Sequence, residues 1–416
     1  MLAPSWSIRS VLAGCCLLTV CACGSNEPGP QPAPSGGANN NQPSGGAGGG
    51  AGAGQQTGGS SGSATGGANA GGGGAAALGG QTSAGSGGAS GGATGGSAGS
   101  GGGSADGDTP PWRPLNVVAA PQEHRHSFLP SEADPMASNA TGQTGGATTA
   151  IVDPRAPKLM GKLLISLGVG GASAWSWASK RGYHSMGVDF YQCDLNYDTR
   201  EHNGDCRLEA FDGIDRTDQM VVDYHDSIVG HITEGLKHLH QIAPEQDWGY
   251  FLNEAQTEVR WSDVAVTGFS HGAQSAARFA RAYRMFRAVS RSGPRDNQCG
   301  NGNAGGQDYD AQNPPFDPNC PDEDISAWID EPSKTPVERL FGFTGKEDGQ
   351  YGDIMFSMER MQYVGQPLNL SKNLTGPYTT NRFYGDVGHS GFDDGTFDAA
   401  LEYAFGIPPE NSNPAF

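Results

Sequence analysis

The chain has 416 residues, with 25 Lys and Arg against 44 Asp and Glu and a formal charge of −19. That acidic excess argues against steering towards nucleic acid, because a phosphate polyanion needs a basic patch. Past residue 24 no run of 18 or more apolar residues exists, which rules out a polytopic membrane protein.

Arg9 supplies a short positive region, and Ser10 to Val20 is an apolar stretch too short to span a bilayer. Val20-Cys21-Ala22-Cys23 then resembles a bacterial lipoprotein signal, with small residues ahead of a cysteine that becomes the lipidated N-terminus. The residue after Cys23 is Gly24 and not Asp, which in a Gram-negative cell resembles the outer-membrane sorting pattern. Glycine is concentrated next: 32 of the 67 glycines fall between residues 31 and 108, where Asp106 and Asp108 are the only charged groups. A tract of Gly, Ser, Ala, Thr, Asn and Gln has too little apolar area to offset the entropy of ordering. Residues 1–23 therefore read as a signal and 24–110 as a flexible tether. A chain of that kind reaches roughly 50 Å and holds a domain away from a membrane. Residues 111–416 remain for one large α/β domain.

In that domain Lys162 to Leu167 is an apolar run bounded by glycines, a buried-strand signal. Gly168-Val169-Gly170-Gly171-Ala172 follows as a loop where backbone can approach a ligand closely. Tyr183 to Tyr191 reads as a second strand. Over 218–243, Val222, Ile228, Ile232, Leu236, Leu239 and Ile242 recur at helical spacing, and Pro244 stops the helix. Asp263 to Gly268 is the next strand, 273–285 a helix and Arg287 to Ser290 a further strand. Residues 293–335 are rich in Pro, Asn and Asp and read as a lid-like insertion. Glu338 to Thr344 and Arg382 to Tyr384 are two last strands, and Thr396 to Phe405 a closing helix. Strands alternating with helices imply a mostly parallel sheet.

The motif that carries chemistry is Gly268-Phe269-Ser270-His271-Gly272, of the form G-x-S-x-G, between an expected strand and an expected helix. Such a turn presents a serine hydroxyl on strained backbone, and side chains at Gly268 and Gly272 would collide with the neighbouring strand and helix. The helix end adds amide donors beneath developing negative charge. Here the sequence resembles the α/β-hydrolase family over roughly residues 115–410, which implies an α/β-hydrolase fold: a mostly parallel central sheet flanked by helices. More narrowly, Asp247-Trp248-Gly249-Tyr250-Phe251 and Trp261 look like a branch of bacterial exported α/β-hydrolases.

The family's chain order is Ser, then Asp or Glu, then His. Only His271 and His389 lie beyond Ser270, and His271 sits inside the elbow, so the resemblance implies His389 as general base. The acid belongs in the loop after the strand 338–344, where Asp348 fits best and Glu347 and Asp353 are rivals. An oxyanion hole needs two backbone N–H groups. The resemblance assigns one to His271 and the other to the loop after the first buried strand, with Val169 and Gly170 as candidates. The family often writes that loop His-Gly-Gly-Gly, and here Gly168 replaces the histidine.

An exported chain meets an oxidising compartment, so Cys193, Cys206, Cys299 and Cys320 are expected as two disulfides. The local pairs Cys193–Cys206 and Cys299–Cys320 are favoured because each closes a polar loop. No CxxC spacing points to zinc. His231, His238 and His240 lie off the apolar stripe of their helix and read as a solvated face. The acidic segment 308–324 lacks the regular spacing of an EF-hand loop.

These features together describe a serine hydrolase cleaving carboxylic esters through an acyl-enzyme, with no metal or cofactor required. Its substrate would be a small-molecule or polymeric ester, and its only membrane attachment an N-terminal lipid in the cell envelope. The alternatives are peptide or amide hydrolysis by the same triad, and a non-catalytic tethered surface-binding domain.

Overall fold

A computed structural model describes residues 110–138, 146–168, 172–193, 200–218, 220–301, 305–392, 395–412 and 414. All lie in the unit spanning Thr94–Phe416. The signal with Cys23, the tether up to residue 109, and the loop residues Val169 and Gly170 fall outside the described residues.

In chain order the elements are β1 (His124–Phe128), α1 (Pro130–Ala133), β2 (Thr148–Val152), β3 (Leu163–Leu167), α2 (Ala172–Lys180), β4 (His184–Val188) and α3 (Arg200–Asp212). Then come α4 (Ile228–Ile242), β5 (Val264–Phe269), α5 (His271–Ala282), β6 (Arg287–Arg291), β7 (Leu340–Gly345), α6 (Tyr351–Arg360), β8 (Leu368–Asn369), β9 (Arg382–Gly385) and α7 (Asp398–Phe405). The strands form one nine-stranded sheet in the order β1-β2-β4-β3-β5-β6-β7-β9-β8. The pairs β1–β2 and β2–β4 are antiparallel and every other pair is parallel. This is the mostly parallel, helix-flanked sheet that the resemblance implied.

All five residues of β3 are buried, as expected of a strand covered on both faces. Alternation along the central strands feeds two cores. Leu163, Ile165, Leu167, Val264 and Val266 pack with α4 and α5, while Leu164, Ala265, Val289 and Phe341 pack with α7.

The sequence pattern placed a helix over 218–243, but α4 begins ten residues later. The Asp223 carboxylate accepts from the amides of His225 and Asp226 at 3.0 and 3.2 Å, a local turn that competes with helix. Ser227 then caps α4, accepting from Gly230 N at 3.0 Å. Val222 is buried but lies outside the helix, and Ile242 is exposed. The histidines of this helix are not a solvated face: His231 is buried, and His238 packs its ring 4.9 Å from that of Phe128. Among the described residues no cluster of His, Cys, Asp or Glu is arranged to hold a metal.

The structure has both local cystines, Cys193–Cys206 and Cys299–Cys320. Cys206 sits in the helix α3, not in a loop. Residues 293–335 form the insertion between β6 and β7, and its far end belongs to the core. Phe316, Ile325, Trp328 and Ile329 are buried in the larger cluster. A Cβ at Gly204 of α3 would meet Trp328 at 2.8 Å, so helix and insertion pack in direct contact.

His184 of β4 is fully buried between the rings of Trp248 and Phe251 and donates from Nε2 to the Gln246 carbonyl at 2.8 Å. Burial pushes its pKa down from 6.5 to about 4. Burial lowers His231 as well. Below pH 6.5 the unfolded chain binds protons these rings refuse, so stability present above that pH is lost as pH falls. His225 works in reverse, because its hydrogen bond to Asp134 raises its pKa, but that pair is partly exposed. His184 and His271, the latter lowered further by burial to about 3, therefore dominate. The urea midpoint is expected to fall between pH 7 and pH 4.5, with His184 supplying up to about 3 kcal/mol of the loss when fully titrated. A midpoint unchanged or raised at pH 4.5 would contradict this.

Candidate active site

β5 ends at Phe269 and α5 begins at His271, leaving Ser270 alone to turn the chain. Its backbone has φ 53° and ψ −114°. A non-glycine residue in that region costs on the order of 1–3 kcal/mol and persists only where its surroundings enforce it. Here the Ser270 amide donates to the Arg291 carbonyl at 2.9 Å, and its carbonyl accepts from the amides of Ala273 and Gln274 at 3.0 and 3.3 Å.

The two flanking glycines allow the approach. A Cβ at Gly268 would lie 2.2 Å from the carbonyl of Gly272, and a Cβ at Gly272 would lie 2.6 Å from the carbonyl of Leu167 on β3. These obstacles are backbone and cannot rotate away. As the first residue of α5, His271 has an amide with no acceptor inside the helix.

His389 lies in the loop after β9 and Asp348 in the loop after β7. His389 Nδ1 donates to Asp348 Oδ2 at 2.6 Å. The other oxygen of Asp348 accepts from the Gln350 amide at 2.9 Å, and the residue is buried. The two loops are tied by backbone: Lys346 N donates to Gly385 O at 2.9 Å and Glu347 N to Val387 O at 3.1 Å. Lys346 Nζ also pairs with Asp386 at 2.9 Å.

The rival acids are placed elsewhere. Glu347 is exposed. Asp353 accepts from Gly300 N at 2.7 Å and from Arg295 Nε at 3.1 Å, so its carboxylate anchors the insertion. Burial raises the Asp353 pKa, against the opposing pull of these donors.

Two residues beside His389 were not singled out by the sequence. The Phe269 ring meets the His389 ring edge-on at 5.0 Å. Ser292, itself at φ 55°, donates its hydroxyl to the His389 carbonyl. No motif marks Ser292, and only its position just past β6 hints at a role.

His271 is nine-tenths buried, its Nδ1 lying 3.0 Å from Gln192 Oε1. Burial and the nearby Arg207 guanidinium, against Asp296, pull its pKa down to about 3. The ring is therefore neutral at any ordinary pH. Gly168, where the family often has histidine, has φ +88° and donates its amide to Val188 O at 3.2 Å. That backbone is one glycine adopts without strain.

No family model matches this sequence, and no curated protein matches it. Several solved structures are similar to parts of this chain. An S-formylglutathione hydrolase from Staphylococcus aureus is 16% identical, with 69% of this chain and 98% of that one covered and a TM-score of 0.33. An esterase from Pyrobaculum calidifontis is 12% identical, covering 70% of this chain and 82% of that one, with a TM-score of 0.30. A putative dienelactone hydrolase from Klebsiella pneumoniae is 9% identical, covering 68% of this chain and 98% of that one, with a TM-score of 0.31. At such identities and scores, none of these likenesses bears on which residues of this chain act, or on what.

Replacing Gly268 by Ala forces backbone apart at the turn. The expected outcome is a loss of about 1–3 kcal/mol in unfolding free energy, read from urea denaturation. An undiminished midpoint would mean that the strand and helix separate freely.

Proposed function

We propose that this domain is a serine hydrolase that cleaves carboxylic esters through an acyl-enzyme. The observation that supports the reading best is the hydrogen bond at 2.6 Å between His389 and the buried Asp348, from the loops after β9 and β7. It belongs to a sheet whose β5 ends in the positive-φ turn at Ser270. In this reading Ser270 Oγ attacks the ester carbonyl and His389 Nε2 takes its proton. Asp348 holds the Nδ1–H tautomer and stabilises the imidazolium. His389 then returns the proton to the departing alcohol, and water repeats the sequence to release the acid.

The tetrahedral oxyanion would meet the His271 amide at the positive end of α5, with a second amide from the loop of Val169 and Gly170. The chemistry asks for no metal or organic cofactor. We propose further that the enzyme is exported and held to the cell envelope by a lipid on Cys23, on the strength of the Val20-Cys21-Ala22-Cys23 sequence.

Fluorophosphonate labelling of the full chain, read by intact mass, tests the nucleophile. One adduct on the wild type and none on Ser270→Ala is expected, with ester turnover lost alongside. Full ester hydrolysis by Ser270→Ala sinks the assignment. Asp348→Asn should keep the fold and lower kcat by about 10⁴, because the base is left in the wrong tautomer. Glu347→Gln should stay near wild type, and the reverse ranking would relocate the acid. A casein digest run beside simple esters separates peptide from ester hydrolysis. For the anchor, radiolabelled palmitate should enter the wild-type chain and not Cys23→Ala.

A further inference from the structure

The side of α5 facing α3 carries an arrangement that the proposed reaction does not by itself require. His271, Gln274 and Ser275 lie on one side of the first turn, at the spacing i, i+3, i+4 that shares a helix face. Two residues from outside the helix hold that face. Gln192 Oε1 meets His271 Nδ1 at 3.0 Å. Arg207 donates from Nη2 to Gln274 Oε1 at 2.5 Å and from Nη1 to Ser275 Oγ at 3.2 Å.

These two residues are the immediate neighbours of a cystine. Gln192 precedes Cys193 and Arg207 follows Cys206, and the two cysteines are joined. A closed ring results, running from His271 through Gln192, the disulfide and Arg207 back to α5. The Arg207 side is itself fixed. Its Nε and Nη2 donate to the two oxygens of Asp296 at 2.9 Å each, and Trp328 Nε1 donates to Asp296 at 2.9 Å. All three of these side chains are buried.

We propose that Gln192 is a positioning residue for the oxyanion-binding amide of His271, and that the Cys193–Cys206 disulfide holds it in place. The inference rests on the serine-hydrolase reading. Its logic is tautomeric and geometric. Gln192 Oε1 is an acceptor, so His271 Nδ1 carries the proton and Nε2 carries the lone pair. Among the described residues, His271 Nε2 is buried without a hydrogen-bond partner. A bare lone pair there, near the Arg207 guanidinium, is less costly than a buried N–H with no acceptor. The ring is thus locked in one tautomer and one orientation. Its backbone amide is locked with it, one residue beyond Ser270.

An oxyanion donor works only when it is held where charge develops, and loosened supports of a functional group typically cost 10–100-fold in activity. Removing Gln192 should therefore lower kcat and leave KM nearly alone, because the ground-state ester does not depend on that amide.

The test uses Gln192→Met, which keeps length and bulk but loses the acceptor, beside the double variant Cys193→Ala/Cys206→Ala in the full chain. Ester kinetics, fluorophosphonate labelling rate and ¹⁵N-histidine NMR are read on each. The expected result for Gln192→Met is about a tenfold fall in kcat with KM within about twofold. The labelling rate falls in parallel, and the His271 ring nitrogens leave the pure Nδ1–H pattern. The cystine variant is expected to show the same signature, more weakly.

An unchanged kcat in Gln192→Met, or a wild-type His271 whose proton sits on Nε2, overturns the proposal. The NMR readout decides even if a variant folds poorly, because the wild-type tautomer alone can refute it. Failure of the underlying reading looks different: ester turnover by wild type would then persist in Ser270→Ala.

Discussion

The site depends on one close approach, that of β3, β5 and α5 around Ser270. The Gly272 carbonyl occupies the space a Cβ at Gly268 would need, and Leu167 O occupies that of a Cβ at Gly272. With strand and helix this close, a single residue must reverse the chain, and only a positive φ does so. The strain at Ser270 is held by burial of the strands on either side. Leu163 to Leu167 and Val264 to Gly268 are buried throughout. The sheet centre is built mainly of small and branched residues, while the candidate site residues sit at strand ends.

From that turn the constraints spread outward. Ser270 N is bonded to Arg291 O at the end of β6, Ser292 next to it bonds the His389 carbonyl, and Ser292 N bonds Phe343 O on β7. The ends of β5, β6 and β7 and the His389 loop are thus cross-tied within a few residues. On the other side, the Arg207–Asp296 pair links α3, α5 and the insertion. Both groups are buried, with side-chain exposures of 1% and 2%. Burial would raise the Asp296 carboxyl, but the Arg207 guanidinium and the Trp328 N–H hold it below the ordinary carboxylate range. Removing either partner of such a pair leaves an uncompensated buried charge, which costs several kcal/mol. The insertion is therefore a fixed wall where it meets α5, whatever freedom its outer residues have.

How much of this was legible in the sequence follows from what each residue is buried against. The strands β3 to β7 and β9 read correctly, most plainly β3 and β5, because strands covered on both faces tend to mostly apolar runs. The elbow was legible because G-x-S-x-G constrains backbone, and backbone constraints leave glycines behind. The antiparallel edge was not legible. His124 to Phe128 is a strand of polar residues supported by pairing to β2 and not by its own pattern. Helix α3 was equally hidden, because a cystine and the buried Arg207 hold it where an apolar stripe usually would. The α4 histidines were misjudged for a related reason. Periodicity sorts residues by polarity, and an imidazole such as that of His238 can pack against Phe128 as an aromatic ring would. Among the acids, the sequence favoured Asp348 and kept Glu347 and Asp353 as rivals. The local turns separate them, since Asp353 faces the insertion from α6 and Glu347 points to solvent.

A histidine directly after Ser270 raises a question of charge for the proposed reaction. A protonated ring at the first position of α5 would add a titrating cation to the positive end of the helix. In the proposed reaction its stabilisation of a developing oxyanion would then rise and fall with pH. The surroundings prevent this. Burial and Arg207 leave His271 neutral down to about pH 3, and Arg207 itself is balanced by Asp296 at 2.9 Å. The field beneath Ser270 is therefore set by fixed backbone dipoles and not by a side chain that titrates. A closed Arg–Asp pair lies on one side of the turn and the Asp348–His389 pair on the other. Of the two histidines that follow Ser270 in the chain, only His389 hydrogen-bonds a carboxylate, that of Asp348 at 2.6 Å.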